Sequence, residues 1–209
     1  MDPYGAGGDE CLSLFAAAYA TGRLIFPPAA RVLEVGCAEA DWMTPMLALR
    51  PDLQMTGVDW RACARPGAVT LRQDILAALF LPASFDVAIG ISSVEHLGLG
   101  HYDQDPLDPE GDRRCMVRVA RWLKPGGWAY ADVPFEVGGF RVVGTSHRVY
   151  DAETLHTRLT PPGLRLEQVW YGTSGQEGLR DAPHPDRLHL MHYAACYWVK
   201  PTRSPEGSA

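Results

Sequence analysis

The stretch Arg31-Val32-Leu33-Glu34-Val35-Gly36-Cys37-Ala38-Glu39-Ala40-Asp41 decides the fold. A short β-branched apolar run ends in a turn of small residues, and a helix-forming segment follows at once. That order is the first β-turn-α unit of a nucleotide-binding α/β domain. Small residues at Gly36, Ala38 and Ala40 let a ligand come close to the backbone, which a bulkier side chain would block. The turn alone does not identify that ligand. The acidic residues around it come closer.

Two ligand classes use such a turn. Dinucleotides want G-x-G-x-x-G/A, with the pyrophosphate on the amides of the helix N-terminus. Here Ala38 stands at the second glycine and Asp41 at the third, where a carboxylate competes for those amides and repels a pyrophosphate. S-adenosylmethionine (SAM) has no phosphate, and its ammonium and sulfonium are positive, so acidic residues favour it. The run resembles motif I of the class I SAM-dependent methyltransferases, (D/E)-x-G-x-G-x-G. Glu34 and Gly36 match, while Ala38 and Ala40 replace the later glycines. The resemblance implies a Rossmann-like, doubly wound α/β fold with a mostly parallel seven-stranded sheet and an antiparallel last strand. It also implies SAM as cofactor, with S-adenosylhomocysteine as product.

The chain has 209 residues, 46% hydrophobic and 21% charged, which suits one globular domain over residues 1–209. Residues 1–30 read as an N-terminal helical extension and 201–209 as a disordered tail. The net charge of -6 argues against a dominant nucleic-acid-binding face. The five cysteines are scattered and lack a C-x-x-C pair, so neither a disulfide framework nor a structural zinc site is expected. With no basic leader and no apolar run long enough to span a bilayer, the chain reads as soluble and cytoplasmic, without membrane contact.

Further acidic residues fall at the ends of predicted strands. The first eight residues are Gly-rich and read as mobile or draped over the site. Asp9 then caps a helix whose face is Leu12, Phe15, Ala16 and Tyr19. Asp41 caps a helix to about Leu49, and a second strand, Gln54 to Val58, ends at Asp59-Trp60. Asp59 lies 23 positions past Gly36, near the spacing at which an acid reaches a ribose diol; a helix cap or loop role is the alternative. A third strand, Ala68 to Arg72, runs into Gln73-Asp74-Ile75, which resembles the methyltransferase adenine site. The alternative is a cap for a short helix Ile75 to Phe80.

The apolar strand Phe85 to Ile91 leads into Ser92-Ser93-Val94-Glu95-His96-Leu97-Gly98-Leu99-Gly100-His101-Tyr102. In open α/β sheets ligands sit beyond the carboxyl ends of strands, so this segment should face the transferred methyl. It resembles motif IV, and with Asp105 to Asp112 a less characterised set of methyltransferase-like proteins with no defined substrate. Asp108 caps a helix whose apolar face is Met116, Val119, Ala120 and Leu123, and Leu123-Lys124-Pro125-Gly126-Gly127 resembles the L-K-P-G-G turn of the superfamily. Strand five is Trp128 to Val133. The excursion Phe135 to Gly144 is a candidate hairpin or lid, Asp151 caps one more helix, and two strands, Leu164 to Tyr171 and about Leu190 to Val199, close the sheet as an antiparallel hairpin.

Methyl transfer to oxygen or nitrogen needs alignment, desolvation and a base, usually histidine. His96 and His147 map to facing loops at the ligand edge and are the catalytic candidates, with a structural loop histidine as the alternative for each; His101 ranks lower. Glu95 either orients His96 or a substrate amine, or is a solvated helix-start carboxylate. Some methyltransferases place E-x-x-E-H here and bind a divalent metal. Ser92 stands at their first glutamate, so no metal is assigned. Trp42, Trp60, Tyr102 and Tyr150 are candidates to stack on adenine or wall a pocket, with core packing the commoner role except for Trp60. The resemblance assigns cofactor binding to Glu34, Gly36, Cys37, Ala38, Asp59, Trp60, Asp74, Ile75 and Ser92. The expected activity is methyl transfer to a small-molecule acceptor, with the oligomeric state open. The rivals are a non-catalytic SAM-binding partner, a metal-assisted RNA methyltransferase and a dehydrogenase, the last opposed by Asp41.

Overall fold

Arg31–Val35 forms strand β1, buried beyond its first residue and flanked by a parallel partner on each side. The computed structural model describes residues 7–39, 41–101, 107–173, 176–183 and 192–202. Ala40, Tyr102, His184, His189, residues 1–6 and the tail from residue 203 lie outside the described residues.

β1 is preceded by helix α1 (Gly7–Ala20) and followed by α2 (Met43–Leu49), β2 (Gln54–Asp59), β3 (Val69–Arg72) and β4 (Phe85–Gly90). A 3-10 turn, Val94–His96, leads to α3 (Gly111–Trp122) and β5 (Leu123–Phe135). Then come a hairpin of β6 (Arg141–Val143) and β7 (His147–Val149), helix α4 (Ala152–Thr157), and strands β8 (Arg165–Thr173), β9 (Gln176–Arg180) and β10 (His192–Val199). The main sheet runs β3-β2-β1-β4-β5-β10-β8-β9. The first five are parallel, and β10 inserts antiparallel between β5 and β8. The order reverses between β1 and β4, where such sheets open a ligand crevice.

The sheet separates two apolar cores. On one face α1 and α2 pack Phe15, Trp42, Met43 and Met46 against Val32, Val87 and Tyr130; on the other, α3 and α4 pack Met116, Val119, Trp122 and Leu155 against Leu33, Ala129 and Val133. Alternate residues of one strand thus reach opposite cores, as strand geometry dictates.

Several sequence expectations need correction. The sheet has eight strands rather than seven, because part of the connection after β8 turns back and pairs as β9. α1 buries Cys11, Leu14, Phe15 and Ala18, not a face containing Ala16, which is exposed. That orientation lets Leu14 lie over Gly172, where an added Cβ would sit 2.3 Å from its Cδ2. No helix spans Ile75 to Phe80: the Asp74 carboxylate accepts from the Leu76 amide (2.8 Å), a local bond that competes with helix, and the chain stays irregular. α2 and α3 start two and three residues after the acids read as caps. Asp41 Oδ1 still accepts from the Thr44 amide (3.1 Å), while Asp108 takes the Glu110 amide (3.0 Å). The Asp151 cap holds as a full capping box. The L-K-P-G-G run is the bulged start of β5, its Lys124 ammonium clamped on Asp86 at the opposite end of the sheet from the crevice.

Candidate active site

The cleft lies at the carboxyl ends of β1 to β4 and is open to solvent, with about 690 Å³ of space in and above it. Its walls are the Gly36 turn, Asp59-Trp60-Arg61 after β2, Gln73-Asp74-Ile75 after β3, and Ile91-Ser92-Ser93 with His96-Leu97 after β4. Gly36 adopts φ +81°, and a Cβ there would meet the Ser93 Cβ at 2.5 Å. The glycine is therefore required by the crossing of two strand-end loops as well as by open access to the backbone.

Seven of the residues read from sequence line the cleft: Gly36, Asp59, Trp60, Asp74, Ile75, Ser92 and His96. Glu34, Cys37 and Ala38 sit behind that wall, where they shape it. Glu34 is fully buried and accepts from the Trp42 indole (2.6 Å), which places Trp42 in the core rather than on a ligand. Its other oxygen, Oε2, is buried without a hydrogen-bond partner among the described residues, and burial raises the carboxyl to about 8. The Ala38 amide donates to Asp59 Oδ2 (2.9 Å), tying the turn to the end of β2. The Cys37 sulfur packs away from the cleft, 3.0 Å from that of Cys63. Tyr150 is also core, its hydroxyl donating to Asp112.

Asp59 is heavily engaged. Its Oδ1 accepts from the Arg61 amide (2.8 Å), and both oxygens meet the Arg61 guanidinium at 3.1 and 3.3 Å. The same guanidinium binds Glu39 across the mouth of the cleft. Arg61 has no signal in the sequence, because a side chain that folds back onto a carboxylate two residues earlier leaves no periodic trace.

The far wall is built on buried charge. Ser92 has φ +44°, rare for a side-chain-bearing residue, and this bend aims its amide at Asp132 Oδ1 (2.7 Å) and its hydroxyl at Glu95 Oε1 (3.1 Å). Glu95 is buried, not solvated, and Asp132 lies within β5; burial lifts both carboxyls to about 7. Glu95 Oε1 is 3.6 Å from His96 Nε2. The His96 Nδ1–H donates to the Ser146 carbonyl (2.6 Å), which leaves Nε2 as the basic nitrogen of the neutral ring. Burial lowers the His96 pKa, so the neutral ring prevails near pH 7. His101 stacks on His96 at 5.3 Å and His147 meets its edge at 6.3 Å, so the structure brings all three rings together. His147 is buried and does not line the cleft; Ser146 Oγ lies 3.0 Å from its Nδ1.

A further residue, Arg148, holds this wall in place. Wholly buried in β7, it donates to the carbonyls of Glu95, Leu97, Asp108 and Pro109 and faces Asp112, which Arg158 also binds. Asp112, Asp132 and Arg148 join segments up to 53 positions apart, beyond any local motif. Among the described residues no group of three or more His, Cys, Asp or Glu side chains is arranged to hold a metal ion, and no helix is long and apolar enough to cross a membrane.

Residues 79–160 match a family described as "Caenorhabditis protein of unknown function, DUF268". That segment is less than half the chain. It carries Ser92, Glu95, His96 and Arg148 but none of the β1 to β3 wall. No curated protein sequence matches. Solved structures resemble the whole chain. One is Burkholderia thailandensis 1,6-didemethyltoxoflavin-N1-methyltransferase, with 1,6-didemethyltoxoflavin and S-adenosylhomocysteine bound (TM-score 0.65, 16% identity, 96% of this chain and 81% of that one). Another is the N-methyltransferase NodS from Bradyrhizobium japonicum, also with S-adenosylhomocysteine (TM-score 0.55, 16% identity, 92% and 86%). A third is the [4+2]-cyclase SpnF (TM-score 0.61, 18% identity, 90% and 81%). The chain thus has the class I Rossmann-like fold of SAM-dependent methyltransferases, a fold that also houses a cyclase.

Proposed function

We propose that this protein is a SAM-dependent methyltransferase acting on oxygen or nitrogen of a small-molecule acceptor. The observation that carries the reading is the set of acids on one cleft. The charge comes from Glu39, Asp59 and Asp74, which line it, while the Glu34 carboxyl behind them, neutral near pH 7, keeps an unpartnered oxygen free to accept a hydrogen bond. A cationic, phosphate-free adenosyl ligand fits that charge and a pyrophosphate does not. Asp41, already on the Thr44 amide at the start of α2, further disfavours a dinucleotide.

On this reading Asp59 accepts from the ribose hydroxyls once Arg61 yields. Asp74 accepts from the adenine amine with Ile75 against the ring, Trp60 walls the adenosyl group, and Glu34 with the Gly36 turn holds the amino-acid end. Cys37 and Ala38 set the turn's shape. SAM, when bound, supplies a methyl group on a sulfonium for in-line displacement. His96 Nε2 takes the acceptor's proton. Glu95, and behind it Ser92, holds the resulting imidazolium, while the Ser146 carbonyl fixes the tautomer. His147 packs the ring from its edge as a positioning residue. The cleft belongs to one chain, and no nucleic acid, membrane or metal enters the reading.

Calorimetric titration with SAM, S-adenosylhomocysteine and NAD in parallel tests it. Binding of both adenosyl ligands without NAD supports the assignment; silence with both removes it.

A further inference from the structure

The cleft has a device behind its β1 wall that methyl transfer does not use. Cys37 follows Gly36 in the first turn, and Cys63 lies in the loop after Trp60-Arg61. Their sulfurs are 3.0 Å apart, inside ordinary van der Waals separation. Arg65, two residues past Cys63, pins the two segments together by donating to the Cys37 carbonyl (2.8 Å), and Thr70 of β3 holds the Cys63 carbonyl (2.9 Å). Gly57 and Met43 crowd the other side of the Cys37 sulfur: a Cβ on Gly57 would lie 2.7 Å from it and 3.4 Å from the Met43 sulfur. Cys11, Cys115 and Cys196 are fully buried, so of the five cysteines only Cys63 has solvent access.

We propose that Cys37 and Cys63 form a redox modification site, closed to a disulfide by a peroxide and reopened by a dithiol, that weakens cofactor binding when oxidised. The Cys63 thiolate attacks the peroxide: an S–O bond forms, the O–O bond breaks, and the sulfur is oxidised to a sulfenic acid. The Cys37 sulfur then attacks that of Cys63, forming S–S and expelling hydroxide, which leaves as water with the Cys37 proton. Two thiols and one hydrogen peroxide give one disulfide and two waters. Closure to a bond of about 2.05 Å needs roughly 1 Å of approach, within reach of a surface loop. Burial pushes the Cys37 thiol well up, so closure quickens as pH rises.

The effect on the cleft, which rests on the adenosyl reading above, follows from Arg61. To give both oxygens to a diol, Asp59 must be released by the Arg61 guanidinium, two residues before Cys63. Tethering Cys63 to the Gly36 turn draws that loop inward and opposes the release. Oxidation should therefore weaken S-adenosylhomocysteine binding by roughly tenfold, within the usual range of coupling between sites.

The test oxidises reduced, full-length protein with stoichiometric hydrogen peroxide, maps its peptides without reductant, and titrates S-adenosylhomocysteine into both forms. The expected result is a Cys37–Cys63 linked peptide that dithiothreitol reverses, with Cys11, Cys115 and Cys196 still thiols, and the roughly tenfold loss. A Cys63→Ser variant should bind as the reduced protein does before and after peroxide. Cys63 recovered as sulfinic or sulfonic acid beside a free Cys37 overturns the site. A linked peptide with unchanged affinity overturns its coupling to the cleft. If the reduced protein binds neither adenosyl ligand, the methyltransferase reading falls and the coupling with it, while the peptide map still decides the disulfide.

Discussion

Asp59 and Arg61 set a competition at the scale of single residues. The carboxylate that the ribose would use is held by a cation that is itself held by Glu39. Asp59→Ala should weaken S-adenosylhomocysteine at least tenfold by calorimetry, the worth of one charge-assisted hydrogen-bond pair. Arg61→Ala should strengthen it by a few-fold, because the diol no longer displaces an ion pair. An Arg61→Ala protein that binds more weakly would show that the guanidinium holds the ligand instead. For His96, once an acceptor is found by screening, His96→Ala should lower kcat by ~100-fold or more with adenosyl affinity unchanged. Because burial lowers the His96 pKa, the acid limb of the kcat profile should fall below that of free histidine, about pH 6.5. An acid limb above that value would count against His96 as the base.

Among the elements, the β6–β7 hairpin is tied to the loop after β4 by the buried Arg148 and by the His96 bond to the Ser146 carbonyl. Arg148→Met keeps volume but takes the donor from four carbonyls, while Asp112 keeps Arg158 and Tyr150. It should cost about 3 kcal/mol in urea unfolding, and a loss under about 1 kcal/mol would mean the loop is held by something else. On the other face of the sheet, Gly172→Ala should destabilise by about 1 to 3 kcal/mol through the Leu14 overlap. Adding Leu14→Ala should recover part of that loss, which a double-mutant cycle would measure.

What was legible in the sequence divides along the same lines. The strands around Gly36, Asp59 and Asp74, and the acids at their ends, were readable because alternation and turn residues are local. The face of α1 was misjudged by one residue, a rotation of about 100°, because what decides it is a missing side chain at Gly172, far away in the chain. Asp132 and Arg148 were not readable for the same reason, since the fold sets their partners and no spacing announces them; Arg61 was unreadable because folding back onto its near neighbour Asp59 leaves no periodic pattern.

For the molecule as a whole, burial of acids near the cleft sets the pH dependence of stability. Glu34 stands at about 8 and Glu95 and Asp132 at about 7, all raised above their unfolded values by burial. The folded state therefore binds more protons, and the stability these groups contribute is full below about pH 4 and lost as pH climbs through 7 to 8. His96, lowered by burial, acts the other way, but only as pH falls below about 6.5. The melting temperature should drop between about pH 5 and 8, and Glu34→Gln should flatten the upper part of that fall. A melting curve that rises across this range would mean the carboxylates are ionised and matched.

The placement of β10 bears on how the chain is made. The strand that bridges β5 and β8 is the last of the described strands to leave the ribosome, while β1 to β4 and their crevice are synthesised first. A nascent chain can assemble its ligand half early and yet carry two unpaired strand edges until the final stretch emerges. Ligand present during synthesis would meet a crevice before the sheet is whole, and the interval before β10 docks is when the growing chain has most need of a chaperone.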